Sequence, residues 1–388
     1  MSHTLRFARF DPTPCNFPAP KVPLLARQGA WGEGGPDSVF LDGRSAFYSR
    51  GRYALKAALQ ALGYGPGDVV LVPSYHCRTM LDPALELGGL VELFPLTPFL
   101  TPRLDLLENR VLRASRPVKA LLLPHYFGFP QQLAPVLALC QRHGIALIED
   151  CSHAFFGQTE LGPVGSVGDY AIASPYKFFP SADGGLVRAN AAQPLPSGPG
   201  RRAWKQEAAA ALALARLRLG GVGEAPLPPL ADAPAAQPLP PPALEPETET
   251  PALSCHYQPE QADLAGLAAS RWVMMHADRA HLAERRRAHY RDWLARVAPL
   301  PRCRPLFTGL PEGVVPYMFP LLLEDCETDF YRLKQQGMPL WRWDEQALSN
   351  CEVASTYRKH LVHLPCHQGL SPAQMDWMGQ LLARVLGA

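Results

Sequence analysis

Between about Arg44 and Ala189 the sequence alternates short apolar, β-rich runs with stretches of helical periodicity. No other feature restricts the fold as much. A strand that is apolar along its whole length has to be covered on both faces, and intervening helices supply the cover. The pattern therefore predicts an α/β layer around a mostly parallel sheet. Arg52–Leu62 has apolar residues at helical spacing and stops at Gly63-Tyr-Gly-Pro-Gly67. Val69–Val72 is an unbroken apolar run, and Leu90–Phe94 and Val118–Leu123 read as strands of the same kind. Gln131–His143 is an amphipathic helix closed by Gly144, and strands at Ala146–Ile148, Tyr170–Ser174 and Gly185–Ala189 complete the layer.

Beyond this region the pattern changes. Of the chain's 388 residues 42 are proline, about twice the usual share of roughly 5%. The excess lies in the first forty residues and between Gln193 and Pro251, so it describes connections rather than core. Residues 193–251 predict one helix, Trp204–Leu219, inside an insertion that is otherwise partly disordered, because Pro- and Ala-rich sequence buries too little apolar surface to order itself. One long helix is expected over Arg271–Val297, with Arg285-Arg-Arg287 as a solvated face. A strand at Val315–Leu323 and helices at Phe330–Gln336 and Pro372–Leu386 predict a smaller α+β domain. The expected division is an N-terminal arm (1–43), a large domain (44–270) and a small C-terminal domain (271–388).

A formal net charge of +2 gives no reason to expect a nucleic-acid partner. Nine scattered cysteines show neither the close spacing of a metal site nor a secreted disulfide framework. The first ten residues lack the apolar run of a signal peptide, and no stretch approaches the ~18 apolar residues of a membrane span. The expectation is a reduced, cytoplasmic enzyme with no metal and no membrane partner.

Four segments place polar groups just past a strand or at a helix start, where ligands of open α/β sheets bind. Ser49-Arg-Gly-Arg52 opens the first helix, whose free N–H groups and positive dipole end suit a phosphate. Val72-Pro-Ser-Tyr-His-Cys77 puts Tyr75 and His76 past a strand, where either ring can lie on a planar ligand. Leu147-Ile-Glu-Asp150, followed by Cys151-Ser-His153, delivers a carboxylate. Tyr170-Ala-Ile-Ala-Ser-Pro-Tyr-Lys177 delivers an amine, with Asp183-Gly-Gly185 after it. Each has an ordinary explanation when taken singly: a helix cap, a core aromatic, a turn aspartate, a surface lysine. A phosphate anchor, a ring, a carboxylate and a lysine in that order are the four parts that pyridoxal-phosphate (PLP) chemistry uses.

The wording of these segments, with Gly65-Pro-Gly-Asp-Val-Val-Leu-Val-Pro73 and His125-Tyr-Phe-Gly128, resembles the DegT/StrS family of sugar aminotransferases, a branch of the fold-type-I PLP enzymes. Pro316-Tyr-Met-Phe-Pro320 and His363-Leu-Pro365 are similar to the family's small domain. The resemblance implies Lys177 as the Schiff-base lysine and Asp150 as partner of the pyridine nitrogen, these two being the catalytic pair. It implies His153 facing the cofactor ring or its hydroxyl, Gly51, Arg52 and Ser174 at the phosphate, and Tyr75 or His76 stacked on the ring. It also implies an amino-acid donor, glutamate by family habit, a carbonyl acceptor such as a nucleotide-linked keto sugar, and a homodimer with shared sites. The turn reads Arg-Gly-Arg where the family commonly has Ser-Gly-Thr, and His76-Cys77 stands where Phe or Trp is usual. Two alternatives to transamination are a PLP-binding regulatory protein without turnover and a PLP enzyme of another reaction type. Trp341-Arg-Trp343 reads as a packed aromatic pair around a surface arginine, with a substrate-facing position as the alternative.

Overall fold

The computed structural model of the chain describes residues 5–9, 34–114, 116–190, 193–219, 227–230, 243–244, 253–343 and 345–387. Most of the proline-rich insertion beyond its helix, including Pro240-Pro-Pro242, lies outside the described residues, as does most of the N-terminal arm.

The large domain is built on β1 (Ser45–Tyr48), α1 (Gly51–Ala61), β2 (Val69–Pro73), β3 (Leu90–Phe94), α2 (Leu104–Arg113), β4 (Val118–Pro124), α3 (Ala134–His143), β5 (Ala146–Asp150), β6 (Tyr170–Ala173) and β7 (Gly185–Ala189). The seven strands form one sheet in the order β1-β7-β6-β5-β4-β2-β3. All neighbouring pairs from β6 to β3 are parallel, and β7 runs antiparallel to both β6 and β1. The fold is the expected α/β, fold-type-I-like layer. Strand alternation divides the apolar runs between two cores. Val70, Val72, Leu122, Ile148 and Ile172 pack against the α1 residues Tyr53, Ala54 and Ala58 on one face. Leu71, Leu121, Leu123, Leu147 and Ala171 meet Leu107 of α2 and Val136 and Leu139 of α3 on the other.

The predicted start of α3 is three residues early. Gln131 is engaged elsewhere, its N–H donating to His125 Nδ1 at 2.9 Å and its side chain to Leu100 O at 3.2 Å. The helix begins where the Glu160 carboxylate accepts from the N–H groups of Leu133 and Ala134, at 2.5 and 2.7 Å.

After α4 (Trp204–Leu219) the predicted long helix is two: α5 (Ala268–His276) and α6 (Arg279–Val297). Ala277 is extended, and the Asp278 side chain accepts from His281 N at 2.9 Å, an N-cap that starts a new helix. The small domain follows with β8 (Cys303–Pro305), β9 (Met318–Leu323), α7 (Asp329–Gln335), α8 (Glu352–His360), β10 (Leu361–Pro365) and α9 (Pro372–Leu386). Its antiparallel sheet β8-β9-β10 packs Phe319, Leu321 and Leu364 against Tyr290 and Trp293 of α6 and Met378 and Leu382 of α9. A separate strand, Phe7–Arg9, pairs antiparallel with Glu345–Ala347.

The seven-stranded sheet and the β8-β9-β10 sheet are linked at the turn after β4. Tyr317 N donates to Phe127 O at 2.8 Å, which explains why β9 begins at Met318 rather than Val315. Gly128 sits at φ +99°, and a Cβ there would lie 2.5 Å from Val315 O. Only glycine accepts both conditions.

Candidate active site

The carboxyl ends of β2, β4, β5 and β6 and the amino end of α1 converge on one cleft of about 390 Å³. That volume falls within the roughly 300–1,000 Å³ typical of small-molecule sites. Seven of the eight residues singled out from the sequence line it: Gly51, Arg52, His76, Asp150, His153, Ser174 and Lys177.

Asp150 ends β5 and is buried with its carboxylate doubly held. His76 Nε2 lies 3.1 Å from Oδ2, and Ser152 N donates to Oδ1 at 2.9 Å. Burial by itself works to raise this carboxyl. The His76 bond and charge, the Lys177 ammonium and the Ser152 bond outweigh it and hold Asp150 below the ordinary carboxylate value. Its neighbour Glu149 points to the other face of the strand and does different work. It bonds His125 Nε2 at 3.0 Å and accepts from the N–H groups of Gly165, Val167 and Gly168 at 3.0, 2.8 and 2.7 Å. The acidic pair is thus one site carboxylate and one brace for the loop before β6.

The phosphate-like end of the cleft is a cradle. Ser174 Oγ donates to Ser152 Oγ at 3.1 Å, and Gly51 faces both. A Cβ at Gly51 would sit 2.4 Å from Ser174 Oγ and 3.5 Å from Ser152 Oγ, so a side chain would fill the space. Arg50, the cap residue of α1, supplies no side-chain cap. The first-turn N–H groups of a helix are those an anion satisfies. Arg52 lines the cleft and donates its guanidinium to His256 O.

Lys177 reaches into the same space, its Nζ 5.4 Å from the Tyr317 ring centroid. Its backbone is tied to the small domain by Arg286, a fully buried residue of α6. That guanidinium donates to Lys177 O at 3.0 Å, to Pro316 O and Tyr317 O at 3.1 Å each, and to Gln368 Oε1 at 2.8 Å. Burial pulls it down to about 10. The Arg285–Arg287 patch is therefore not the solvated face expected of it. Arg285 and Arg287 also donate to backbone carbonyls, of Leu370 and of Pro311 and Val314. A basic run on a helix reads as surface only until the carbonyl-rich turns packed against it are known.

Of the two candidate stacking rings, Tyr75 does not line the cleft. It is fully buried behind the cleft, 4.6 Å from the Trp343 ring, with its hydroxyl 3.4 Å from His363 Nε2. His76, one residue on, takes the cleft side. His153 lies beside Tyr317, ring centroids 4.6 Å apart. Trp341, Arg342 and Trp343 all line the cleft, and Arg342 is buried with its guanidinium over Phe330, 4.2 Å from the ring centroid, rather than exposed. Sequence reasoning did not single out Ser152, Tyr317, Lys334 or Arg286. Ser152 and Tyr317 lay within motifs already marked; nothing local distinguishes Lys334 or Arg286.

Residues 45–193 match the sequence profile described as the DegT/DnrJ/EryC1/StrS aminotransferase family. The match is confined to this segment, less than half of the chain. The chain is 33% identical over 145 residues to a UDP-N-acetyl-3-dehydro-alpha-D-glucosamine 3-aminotransferase of Acidithiobacillus ferrooxidans, covering 35% of this chain and 37% of that protein. It is 29% identical over 153 residues to a GDP-perosamine synthase of Vibrio cholerae, covering 37% and 39%. The likeness in sequence thus spans little more than a third of either relative. In fold it extends further. The aminotransferase TlmJ of Streptoalloteichus hindustanus superposes over 89% of this chain and 86% of its own with a TM-score of 0.61, at 19% identity.

Proposed function

We propose that this chain is a PLP-dependent aminotransferase, moving an amino group from an amino-acid donor, glutamate in our reading, to a carbonyl acceptor. The observation that carries the proposal is the meeting of Lys177, Asp150 and the Gly51–Ser152–Ser174 cradle in one cleft, within the segment that matches the family. The cradle fits a phosphate because a Cβ at Gly51 would fill it. When bound, PLP supplies an aldehyde carbon that takes up nitrogen and a protonated ring that draws electrons from the reacting carbon.

The chain's own residues do the rest. Gly51, Ser152 and Ser174 hold the phosphate. Asp150, kept ionised by His76, Lys177 and Ser152, would hold a proton on the cofactor's ring nitrogen. Lys177 would be the covalent anchor, and its Nζ would move the proton at the donor α-carbon as general base and then acid. Arg286 fixes the turn from which Lys177 projects. Trp341 and Trp343 wall the same cleft. A nucleotide-linked keto sugar is the acceptor we infer from the names of the relatives. A cytoplasmic homodimer with shared sites completes the reading, on the strength of the resemblance.

Glutamate added to the PLP-loaded protein shifts its visible band and releases 2-oxoglutarate in proportion. A band that no amino donor moves contradicts transamination and favours a PLP-binding regulatory protein.

A further inference from the structure

The position that ordinarily carries a stacking ring is occupied by His76, and two observations give it another role. Its Nε2 is 3.1 Å from Asp150 Oδ2, both groups being buried. Its ring face already lies against the Trp343 indole, the planes 6° apart and the centroids 5.9 Å apart. That separation is direct aromatic contact, too close for a third ring between them. We propose that His76 is a positioning residue for Asp150, presenting its carboxylate to the cleft, and not the platform on which a cofactor ring lies. The inference rests on the PLP reading of the cleft.

With Asp150 ionised, Nε2 carries the proton donated to Oδ2. Nδ1 is buried and has no hydrogen-bond partner among the described residues. Asp150 is faced by His76 from the turn after β2, by Lys177 from the turn after β6 and by Ser152 from its own segment. The hydroxyl of Tyr126, from the turn after β4, donates instead to Tyr75 O. His76 is the residue among these that bonds Oδ2. Trp343 fixes the plane of the imidazole, and through it the direction of the bond.

The two roles separate by substitution. His76→Gln keeps an N–H donor for Asp150 and removes the ring. His76→Phe keeps a ring and removes the donor. PLP titration followed by visible absorbance is expected to give near-wild-type affinity and band position for His76→Gln. A hydrogen bond to a charged group is worth about a tenfold to hundredfold change in an equilibrium. His76→Phe is therefore expected to bind PLP about ten- to a hundredfold more weakly. In an Asp150→Asn background His76→Phe costs nothing more, because the two residues act as a unit.

The inference is overturned if His76→Phe binds as wild type while His76→Gln fails, or if the losses at His76 and Asp150 add. Should His76→Phe not fold, His76→Gln alone decides, since a platform role predicts that it loses both affinity and band. A colourless wild type at saturating PLP overturns the cofactor reading instead. The Asp150–His76 coupling is then read without cofactor, by carbon-13 titration of the Asp150 carboxyl in apoprotein carrying His76→Gln and His76→Leu. It is expected to titrate higher in the Leu variant than in the Gln variant; equal titration in both overturns the inference.

Discussion

Gly51→Ala places a methyl group in the cradle and almost nowhere else. Its Cβ would lie 2.4 Å from Ser174 Oγ, a side-chain atom that can turn away, and 3.5 Å from Ser152 Oγ, an ordinary contact. Turning Ser174 away breaks its 3.1 Å bond to Ser152, at a cost of about 1 kcal/mol. Against this, replacing glycine by alanine in a helix gains up to about 1 kcal/mol. The φ of Gly51 is not in the left-handed region, so the backbone itself accepts alanine. The two effects nearly cancel, and the unfolding free energy of the cofactor-free protein is expected to stay within about 1 kcal/mol of wild type. Cofactor binding is a different matter. The methyl occupies the space where a phosphate meets Ser174 and the first turn of α1. Losing one or two charge-assisted hydrogen bonds, about 1.5–3 kcal/mol each, weakens PLP by at least about tenfold. Urea unfolding of the apoprotein and equilibrium PLP titration check the two halves separately. Unchanged PLP affinity would show that Gly51 does not face the phosphate; a large loss of apoprotein stability would show that its role is structural.

Other predictions concern the frame around the site. Arg286→Met leaves the carbonyls of Lys177, Pro316 and Tyr317 buried without their donor. It is expected to lower unfolding free energy by roughly 3–5 kcal/mol, with Arg286→Lys only partly restoring it, since one ammonium cannot span that set of acceptors. Equal stability of all three proteins in urea would refute the brace. His289 and His363 are pulled by burial to about 4 and about 3. The unfolded chain takes up protons below the ordinary 6.5 while the fold keeps both rings neutral, so stability falls as pH drops from 6.5 toward 3. A His363→Gln variant with an equally steep fall over that window contradicts the assignment for that residue.

The large domain was legible because its strands are apolar along their length and its helices are punctuated by residues such as Gly144. The four site segments were legible because each sits where a strand or helix ends. What the sequence hid depends on contacts distant in the chain. Arg286 looks like a surface charge until the carbonyls of residues 177 and 316–317 are packed around it. Trp343 gives no local sign that it will lie parallel to His76, more than 250 residues earlier. The choice between Tyr75 and His76 turns on one residue of register, which fixes the side of the turn each ring takes. The break at Ala277 was readable in principle, since Asp278 three residues before His281 is a capping signal that helical periodicity on either side obscured.

The central claim is that Lys177 carries the cofactor. Borohydride reduction of the PLP-loaded protein, followed by peptide mass mapping, tests it directly because it fixes the label where the bond is. A second lysine, Lys334, also lines the cleft, so the experiment has a real alternative. The prediction is stoichiometric label on the peptide carrying Lys177 and a visible band that Lys177→Ala abolishes. Label on Lys334, or a full band in Lys177→Ala, contradicts it.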